Sequence, residues 1–377
     1  MKFEEFKSGV WKQQFQYKSF SPVQVNQQWS WEDPEINALM EKATKALGEL
    51  NAFSIIVPDI DLFIQMHIIK EAQTSSKIEG TRTGIDEAIL SEEFIAPEKR
   101  DDWREVRNYI DAMNGAVDEL NTLPLSNRLL KNTHYKLMQG VRGEHKPPGE
   151  FRSTQNWIGG SGIVDAAFIP PHFTEVQDLM SDLESFWHNE QIIVPDLVRA
   201  AITHYQFETI HPFCDGNGRV GRLLIPLYLI SKGILNKPSL YLSDFFEKHK
   251  RSYIDALMSV RLSNDLIHWI KFFLNGVMVT AEKGRDTFSS ILVLQHKIET
   301  QLHTLGRRYP SAHQTMKVLY RKPLITISEL ETLGNMSKVT ANAVIKDLEQ
   351  MGILRKVAGN ERYRVYVFDE YLSLFVG

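Results

Sequence analysis

The sequence has little cysteine, no long apolar run and a small net charge. Cys214 is the single cysteine among 377 residues, which excludes an intramolecular disulfide and a zinc site built from several cysteines. The first eight residues lack the apolar core of a signal peptide, and no stretch reaches the roughly 20 apolar residues of a membrane span. We therefore expect a cytoplasmic protein without a membrane partner. The formal net charge of -4 excludes a polycation that binds nucleic acid over its whole surface.

Two common nucleotide-binding patterns are missing as well. Residues 159–162 read Gly-Gly-Ser-Gly, but the lysine of a Walker loop and the third glycine of a dinucleotide fingerprint are absent. His204 and Glu208 stand four residues apart without a second histidine nearby. A structural role is therefore favoured for this pair over a metal site.

The length allows two or three domains, and the pattern along the chain predicts three parts. Residues 1–100 are predicted to hold an extended aromatic arm and then helices, because apolar residues recur at helical spacing. Residues 101–290 continue as a helical core. A glycine- and proline-rich stretch interrupts this core and predicts short strands at 155–158 and 167–169. Residues 301–377 are predicted to form a separate module.

The C-terminal module differs from the rest in charge and in pattern. Residues 301–377 carry 11 basic and 7 acidic side chains, a net of +4. Helical patterns at 312–320, 327–333 and 337–351 precede two predicted strands, at 353–357 and 362–368. This order resembles a winged-helix domain. Ser337 is the expected N-cap of the third helix and Gly352 its C-terminal stop.

Basic residues of this module raise the question of DNA binding. Lys338 and Lys346 are predicted to lie, together with the polar Asn342, on one face of the third helix, and Arg355, Lys356, Arg362 and Arg364 in the wing. The excess charge is modest, and winged helices also bind proteins or form dimers. DNA is therefore not the favoured partner.

Residues 211–222 read His-Pro-Phe-Cys-Asp-Gly-Asn-Gly-Arg-Val-Gly-Arg and hold the densest chemistry in the chain. They separate two helical patterns, so their groups are expected on a loop and the first turn of a helix. Backbone N–H groups at a helix start bind phosphate well, and glycines let the backbone approach closely. His211 has a pKa range suited to taking a proton, and Asp215 offers an oxygen ligand for Mg²⁺. Arg219 and Arg222 are three apart and can both face a phosphate.

The same twelve residues match the signature His-Pro-Phe-x-(Asp/Glu)-Gly-Asn-Gly-Arg-x-x-Arg at every fixed position, so the chain resembles the Fic family. The resemblance implies a mainly α fold, with a Fic-type helical core, a short β-hairpin flap and, here, an added winged-helix (α+β) domain. It also implies an adenylyltransferase that moves AMP from ATP, with Mg²⁺, to a Tyr, Ser or Thr hydroxyl of a protein, itself included. A homo-oligomer is expected on the resemblance alone.

The resemblance also assigns roles to residues of the motif. His211 is expected to deprotonate the target hydroxyl, and Asp215 to hold Mg²⁺ against the α- and β-phosphates. Asn217 is expected near the α-phosphate, Arg219 and Arg222 at the β- and γ-phosphates. Phe213 is expected to anchor the loop in the core. The full set expected to bind nucleotide is Asp215, Gly216, Asn217, Gly218, Arg219, Arg222 and Tyr253.

Two further segments resemble elements of the family. Residues 148–171 resemble the flap, which aligns a target by adding its extended segment as a strand. The flap residues expected to do this are Gly159, Gly160, Ala167, Phe168 and Ile169. Residues 242–253 resemble the nucleoside pocket. They keep Tyr253, but His249-Lys250 stands where Asn-Arg is frequent in the family.

Residues 75–80 read Ser-Ser-Lys-Ile-Glu-Gly and resemble the family's inhibitory helix. Ser75 and Glu79 are four apart and share a helix face. The resemblance implies that Glu79 pairs with Arg222 and withdraws it from the γ-phosphate, which leaves low basal transfer. Some family members use this glutamate to remove AMP, so an AMP-removing or bifunctional enzyme is an alternative.

A protein of another class is a second alternative. A transcriptional regulator could use the same core to sense a nucleotide without transferring it. The intact His211 argues against this hypothesis, because sensing alone needs no base. Transfer of another nucleotide or of a phosphate is a third alternative with the same fold.

Overall fold

A computed structural model describes residues 1–57, 59–141, 146–358 and 364–376. The described chain is mainly helical with two small antiparallel sheets, which confirms the predicted mainly α fold. No helix among the described residues has the length and apolar character needed to cross a bilayer. Arg362, which we predicted in the wing, lies outside the described residues.

The N-terminal residues form a hairpin rather than the extended arm that we predicted. Strand β1 (Gly9–Gln13) pairs antiparallel with β2 (Lys18–Pro22). The N–H of Phe20 donates to the carbonyl of Ile169 at 2.9 Å, and the rings of Trp11 and Phe168 are 5.9 Å apart. The hairpin therefore packs directly on the segment predicted to be the flap.

Eleven helices follow up to residue 302 within the described ranges. Their bounds are α1 Pro34–Ile56, α2 Asp61–Ile78, α3 Ile85–Ile89, α4 Arg100–Glu119, α5 Asn127–Leu137, α6 Val176–His188, α7 Asp196–Ile210, α8 Asn217–Ser231, α9 Ser243–Lys248, α10 Lys250–Ser263 and α11 Leu266–Leu302. Local sequence explains several starts. Asp33 caps α1 by accepting from the N–H groups of Glu35 and Ile36, with Pro34 at the first helical position. Ser126 caps α5 in the same way.

Helices α7 and α8 form the centre of the core. Every residue of α7 after Asp196 is buried, and α8 is buried from Arg219 to Leu229. A helix that is buried on all sides shows no single apolar stripe, and its polar residues must then find partners inside the protein. The motif of residues 211–222 joins these two helices, so its side chains start from the interior rather than from the surface.

The predicted strands of the flap meet at one residue pair. Ile158 and Phe168 exchange N–H···O bonds of 2.8 and 3.1 Å in an isolated antiparallel bridge. At the tip, Asp165 accepts from the N–H groups of Ser161 and Gly162. Gly160 has φ +74°, and a Cβ there would lie 2.5 Å from the carbonyl oxygen of Asp165. Glycine is therefore required for this turn.

The C-terminal residues add four helices and a three-stranded sheet. In chain order these are α12 Tyr309–Arg321, β3 Leu324–Thr326, α13 Ile327–Leu333, α14 Lys338–Gln350, β4 Arg355–Ala358, β5 Val365–Val367 and α15 Asp369–Leu372, and the strand order is β3-β5-β4. The three predicted helices are present, but strand β3 was not predicted. Ser337 caps α14 by accepting from the N–H of Thr340, and Gly352 has φ +72° just after the helix end.

Helix α2 packs against this C-terminal region. The ring of Phe63 lies 5.2 Å from that of Tyr320 and 6.5 Å from that of Tyr371. The ring of His67 lies 5.1 Å from that of Phe375. The helix that carries Ser75 therefore touches both the core and the C-terminal residues.

Candidate active site

The loop between α7 and α8 lies at the base of a cavity of about 660 Å³. His211 ends α7 in the left-handed conformation, with φ +51°, and its N–H donates to the carbonyl of Phe207. Gly216 starts α8 with φ +71°. Positive φ is uncommon for a residue with a Cβ, and at His211 it turns the chain sharply out of the buried helix. The turn brings His211, Asp215 and the first turn of α8 to one wall of the cavity.

Side-chain amides hold this loop in shape. The Asn217 side chain accepts from the N–H of Phe213 and donates to its carbonyl, both at 2.8 Å. Asn156 donates to the carbonyls of His211 and Phe213 at 3.2 and 2.9 Å. The amide of Asn217 is therefore engaged within the loop, although we predicted it near an α-phosphate.

His134 supports the loop from beneath, and no sequence pattern pointed to it. Its ring stacks on that of buried Phe213, with centroids 3.9 Å apart and planes 7° from parallel. Its Nδ1 accepts from the N–H of Gly149, so Nε2 carries the proton and donates to the carbonyl of Asp215 at 3.1 Å. Burial lowers the pKa of His134 to about 4. The ring is therefore neutral at pH 7, as this pair of bonds requires.

Arg152 connects the loop to the base of the flap. Its side chain donates to the carbonyls of His211, Ile210 and Pro171, and its backbone N–H donates to the carbonyl of Pro212 at 2.8 Å. Burial lowers the pKa of Arg152 to about 10, so the group stays cationic at neutral pH. It lay inside a segment that we matched to the flap, but we predicted no role for it.

His211 lines the cavity in the protonation state of a proton acceptor. Burial, together with Arg261 and Arg152, lowers its pKa to about 4, so the imidazole is neutral at pH 7. Its Nδ1 lies 4.0 Å from a carboxylate oxygen of Glu208, whose pKa burial raises to about 7. Within the described residues, neither His211 Nδ1 nor Glu208 Oε1 has a hydrogen-bond partner.

Asp215 faces the cavity with a partner that the sequence did not indicate. Its carboxylate accepts from Lys146 Nζ at 2.9 Å and from the N–H of Gly216 at 2.7 Å. Burial alone would raise the pKa of Asp215, but these two contacts outweigh it and lower the pKa. The described residues contain no group of three or more His, Cys, Asp and Glu side chains able to hold a metal. A cation at Asp215 would therefore take its other ligands from a substrate and water, as Mg²⁺ does at phosphate sites.

Arg222 is held by the end of helix α2. Its guanidinium donates to Ser75 Oγ at 2.8 Å, to the Ser75 carbonyl at 3.0 Å and to Glu79 Oε1 at 2.6 Å. Burial by itself raises the pKa of Glu79, but the Arg222 charge outweighs it and lowers the pKa. A Cβ on Gly218 would lie 2.3 Å from Glu79 Oε1. The carboxylate therefore sits against the first turn of α8.

Arg219 lies elsewhere, although we predicted both arginines at the phosphates. Its guanidinium donates to Glu105 at 3.2 Å and lies 3.8 Å from the sulfur of Met138. Both side chains of the Arg219–Glu105 pair are at most 8% exposed. Arg219 does not line the cavity, whereas Arg222 does.

Tyr253 and Lys250, from the segment predicted to form the nucleoside pocket, also line the cavity. His204 Nδ1 donates to the carbonyl of Gly221, so its Nε2 accepts from the Tyr253 hydroxyl at 2.9 Å. Burial lowers the pKa of His204 to about 3, which fits the neutral structural role favoured by the sequence. Lys250 Nζ donates to the carbonyl of Ile78 at 2.7 Å, and this contact ties the cavity rim to the end of α2.

The flap closes the cavity on the opposite side. The flap residues that line it are Trp157, Ile158, Ala167 and Phe168. The Phe168 ring is buried beneath the Arg261 guanidinium, whose Cζ lies 4.1 Å from the centroid of the ring. Of the five predicted flap residues, Ala167 and Phe168 therefore reach the cavity, whereas Gly159, Gly160 and Ile169 shape the hairpin around it.

Two family models match most of the region that builds this cavity. The model described as Fic/DOC family N-terminal matches residues 37–118, and the model described as Fic/DOC family matches residues 124–229. Residues 37–118 and 124–229 thus belong to the Fic/DOC family. The first match includes Ser75 and Glu79, and the second includes the motif of residues 211–222.

Curated relatives resemble this Fic chain over a limited length. Protein adenylyltransferase Fic of Culex quinquefasciatus is 36% identical over 125 residues, which is 33% of this chain and 22% of the relative. Probable protein adenylyltransferase aq_aa38 of Aquifex aeolicus is 44% identical over 96 residues, 25% of this chain and 27% of the relative. The chain thus spans about a quarter of the length of these relatives.

Solved structures share the fold of this chain more widely. A Fic family protein from Desulfovibrio desulfuricans G20 superposes with a TM-score of 0.56 at 19% identity, covering 90% of this chain and 98% of its own. Fic-1 of C. elegans, residues 134–508, gives 0.51 at 20% identity and covers 70% of this chain and 75% of its own. At this identity the likeness concerns the fold alone.

Proposed function

We propose that this chain transfers AMP from ATP to a Tyr, Ser or Thr hydroxyl of a protein, its own hydroxyls included, and that Glu79 restrains the reaction. One observation carries the proposal: neutral His211 and the first turn of α8 share a cavity in which Arg222 is held by Glu79. A base, an anion-binding helix start and a releasable arginine are the parts that nucleotide transfer needs.

His211 acts as the general base in this proposal. The target hydroxyl oxygen forms a bond to the α-phosphorus of ATP, and the bond from that phosphorus to the pyrophosphate oxygen breaks. The hydroxyl proton passes to His211, and pyrophosphate leaves. With its pKa lowered to about 4, the imidazole is free to accept this proton at pH 7.

The start of α8 binds the phosphates. Gly218 has no Cβ, and the N–H groups of the first turn point towards the cavity end of the helix. Asp215 is the residue that would hold Mg²⁺, and the cation would offset phosphate charge. Lys146 now pairs with Asp215, so a bound cation would compete with Lys146 for that carboxylate. Arg222 is the arginine placed to reach the terminal phosphates, because Arg219 is engaged with Glu105.

Glu79 competes with ATP for Arg222 and for the same helix start. Its carboxylate lies where a phosphate would meet Gly218, so a productive nucleotide has to displace it. A charge-assisted contact contributes about 1.5–3 kcal/mol, and about 1.4 kcal/mol corresponds to a factor of ten in rate. The contact therefore lowers transfer by about 10- to 100-fold and does not abolish it.

The remaining parts are proposed from the same observations. The flap would add an extended target segment beside Ala167 and Phe168. We keep the limits 1–100, 101–290 and 301–377 for the three parts, although α11 runs unbroken from Leu266 to Leu302. The last part fits a winged helix by its order of helices and strands, and we propose a protein rather than DNA as its partner.

Labelled ATP tests the reaction directly. ATP labelled at the α-phosphate should leave label on protein, ATP labelled at the γ-phosphate should not, and His211→Ala should remove the α-label. His172→Ala, at a half-buried histidine outside the cavity, is the control and should label as the wild type does. Label from the γ-phosphate would mean phosphorylation instead. Full α-labelling by His211→Ala would refute the role of the base.

A further inference from the structure

A second, smaller cavity lies behind helix α2, away from the motif of residues 211–222. Its volume is about 50 Å³. A water needs about 10–15 Å³ of such volume, so the cavity has room for a few waters or one ion of a few atoms. The residues that give it polar character come from three parts of the chain: His67, Lys70, Ser239, Tyr241, Asp244 and Lys283.

Three buried polar atoms of this cavity have no hydrogen-bond partner among the described residues. They are His67 Nε2, Ser239 Oγ and the Tyr241 hydroxyl oxygen, and each of these residues is at most 9% exposed. Buried polar groups are normally paired, because an unpaired one costs about 1–3 kcal/mol. Three in one cavity indicate a polar occupant.

The charged side chains around the cavity indicate that the occupant is negatively charged. Asp244 accepts from Lys283 at 3.0 Å and from Lys248 at 3.2 Å, and Lys70 also faces this carboxylate. Three ammonium groups therefore share one acidic partner. Burial, with the like charge of Lys283 nearby, lowers the pKa of Lys70 to about 8.

The other acid at the cavity is already engaged. Glu71 accepts from the Tyr109 hydroxyl at 3.0 Å and from the side chain and N–H of Ser243. Its carboxylate is therefore held by neutral donors. An anion between Lys70 and Lys283 would relieve their repulsion and accept from the unpaired hydroxyls.

We propose that this cavity binds one small oxyanion of the phosphate class. Lys70 and Lys283 supply the charge, and the hydroxyls of Ser239 and Tyr241 donate to its oxygens. The site is separate from the phosphate-binding start of α8, and the side chains of Leu374 and Phe375 cover it. It therefore joins the inhibitory helix, the core and the C-terminal residues.

The position of the site suggests that the anion influences AMP transfer, an inference that rests on the function proposed above. Lys70 and Glu79 are nine residues apart on or just after α2, about 14 Å along the axis. An anion that ties Lys70 to Lys283 of α11 holds α2 in its present place. We infer that it strengthens the hold of Glu79 on Arg222 and lowers transfer.

Calorimetric titration of the full chain with inorganic phosphate tests the site. Tyr241→Phe removes a hydroxyl that has no hydrogen-bond partner among the described residues, so the variant should fold and should bind phosphate about 10-fold more weakly or worse. Tyr205→Phe is the control, because that buried hydroxyl also makes no hydrogen bond of standard geometry within the described residues but lies outside the cavity. Lys283→Met should weaken binding as well, whereas Lys42→Met, at an exposed lysine, should not.

Two binding outcomes would overturn the site. No phosphate binding would mean that the cavity holds water only. Equal binding by Tyr241→Phe and Tyr205→Phe would place the phosphate elsewhere, at the start of α8. The effect on transfer is read separately, because phosphate should lower self-labelling in Tyr205→Phe more than in Tyr241→Phe. If phosphate lowers self-labelling equally in both variants, it competes at the start of α8, and the proposed effect of the anion on transfer is refuted. If no variant transfers AMP, the calorimetric comparison still decides whether the cavity binds phosphate.

Discussion

Arg219 and Arg222 leave the same helix three residues apart, and each is buried against a glutamate, yet the two pairs differ in what surrounds them. Arg219 and Glu105 are both at most 8% exposed and lie away from the large cavity. Arg222 is 2% exposed, but the side chain of Glu79 remains 41% exposed and lines that cavity. One pair is enclosed by protein on both sides, and the other is enclosed on one side only.

This difference separates a structural contact from a releasable one. Breaking an enclosed ion pair leaves a charge that no solvent can reach. In the proposed reaction ATP displaces Glu79, because its anionic oxygens replace the carboxylate at Arg222. The motif spacing alone does not distinguish the two arginines, whereas their partners on α4 and at the end of α2 do.

The largest effect is expected from the enclosed pair. Arg219→Ala should lower the free energy of unfolding by about 3–5 kcal/mol, because it removes one charge of a buried ion pair. Urea unfolding measures the change. Arg251→Ala is the control, since that side chain is 96% exposed and its pair with Asp255 is at the surface, so the change should stay below about 0.5 kcal/mol. Equal stability of the two variants would contradict the structural role of Arg219.

The releasable pair should affect rate instead of stability. Glu79→Gly is expected to raise AMP transfer by about 10- to 100-fold, because Arg222 becomes available to ATP. Rates of labelling at limiting ATP measure this. Glu98→Gly, at an exposed glutamate, controls for the loss of a surface charge. Equal labelling rates of Glu79→Gly and wild type would contradict the proposed inhibition by Glu79.

A smaller increase is expected from the other side chain that holds Arg222. Ser75→Ala removes one of three contacts to the guanidinium and leaves the backbone contact and Glu79 in place. Transfer should rise by about 2- to 10-fold. Ser76→Ala is a close control, because Ser76 is equally buried on the same helix and its hydroxyl has no partner among the described residues. A similar rise in Ser76→Ala would mean that loosening α2, rather than freeing Arg222, is what matters.

Local patterns were sufficient to predict much of the fold. Three helices of the C-terminal region were predicted from their periodic apolar patterns, and Ser337 indicated the start of the third, whereas the short helix α15 was not predicted. Strand β3 was missed, since three residues are too short to show alternation. The hairpin at residues 9–22 was also missed, because its turn at 14–17 contains neither glycine nor proline.

The site residues that belong to one sequence motif were predicted, whereas those that the fold brings together from separate segments were missed. His211, Asp215 and Arg222 stand in one run of the sequence. His134 and Lys146 reach the same loop from other segments, and no spacing in the sequence links them to it. The separation of Arg219 from Arg222 could not be predicted either, because it depends on which carboxylates α4 and α2 bring near.

The smallest effect on the rate of transfer is expected from a change of pH. The measurement tests whether His211 is the general base once Arg222 is free. A histidine pKa lowered to about 4 keeps the base form present above that value and loses it only as the pH falls through it. Transfer by Glu79→Gly should therefore change by less than about twofold between pH 8.5 and pH 5.5, whereas an ordinary histidine, with a pKa near 6.5, would lose about tenfold.

Glu208 offers the competing explanation for any pH dependence, because its pKa is raised to about 7 and its carboxylate lies 4.0 Å from His211. If the ionised carboxylate were needed, the rate would fall as the pH drops through that value. The profile should be the same in Glu79→Gly and in the double variant Glu79→Gly, Glu208→Gln, with circular dichroism showing that both stay folded. A half-maximal rate near pH 7 that disappears with Glu208→Gln would assign the proton acceptor to the pair rather than to His211 alone.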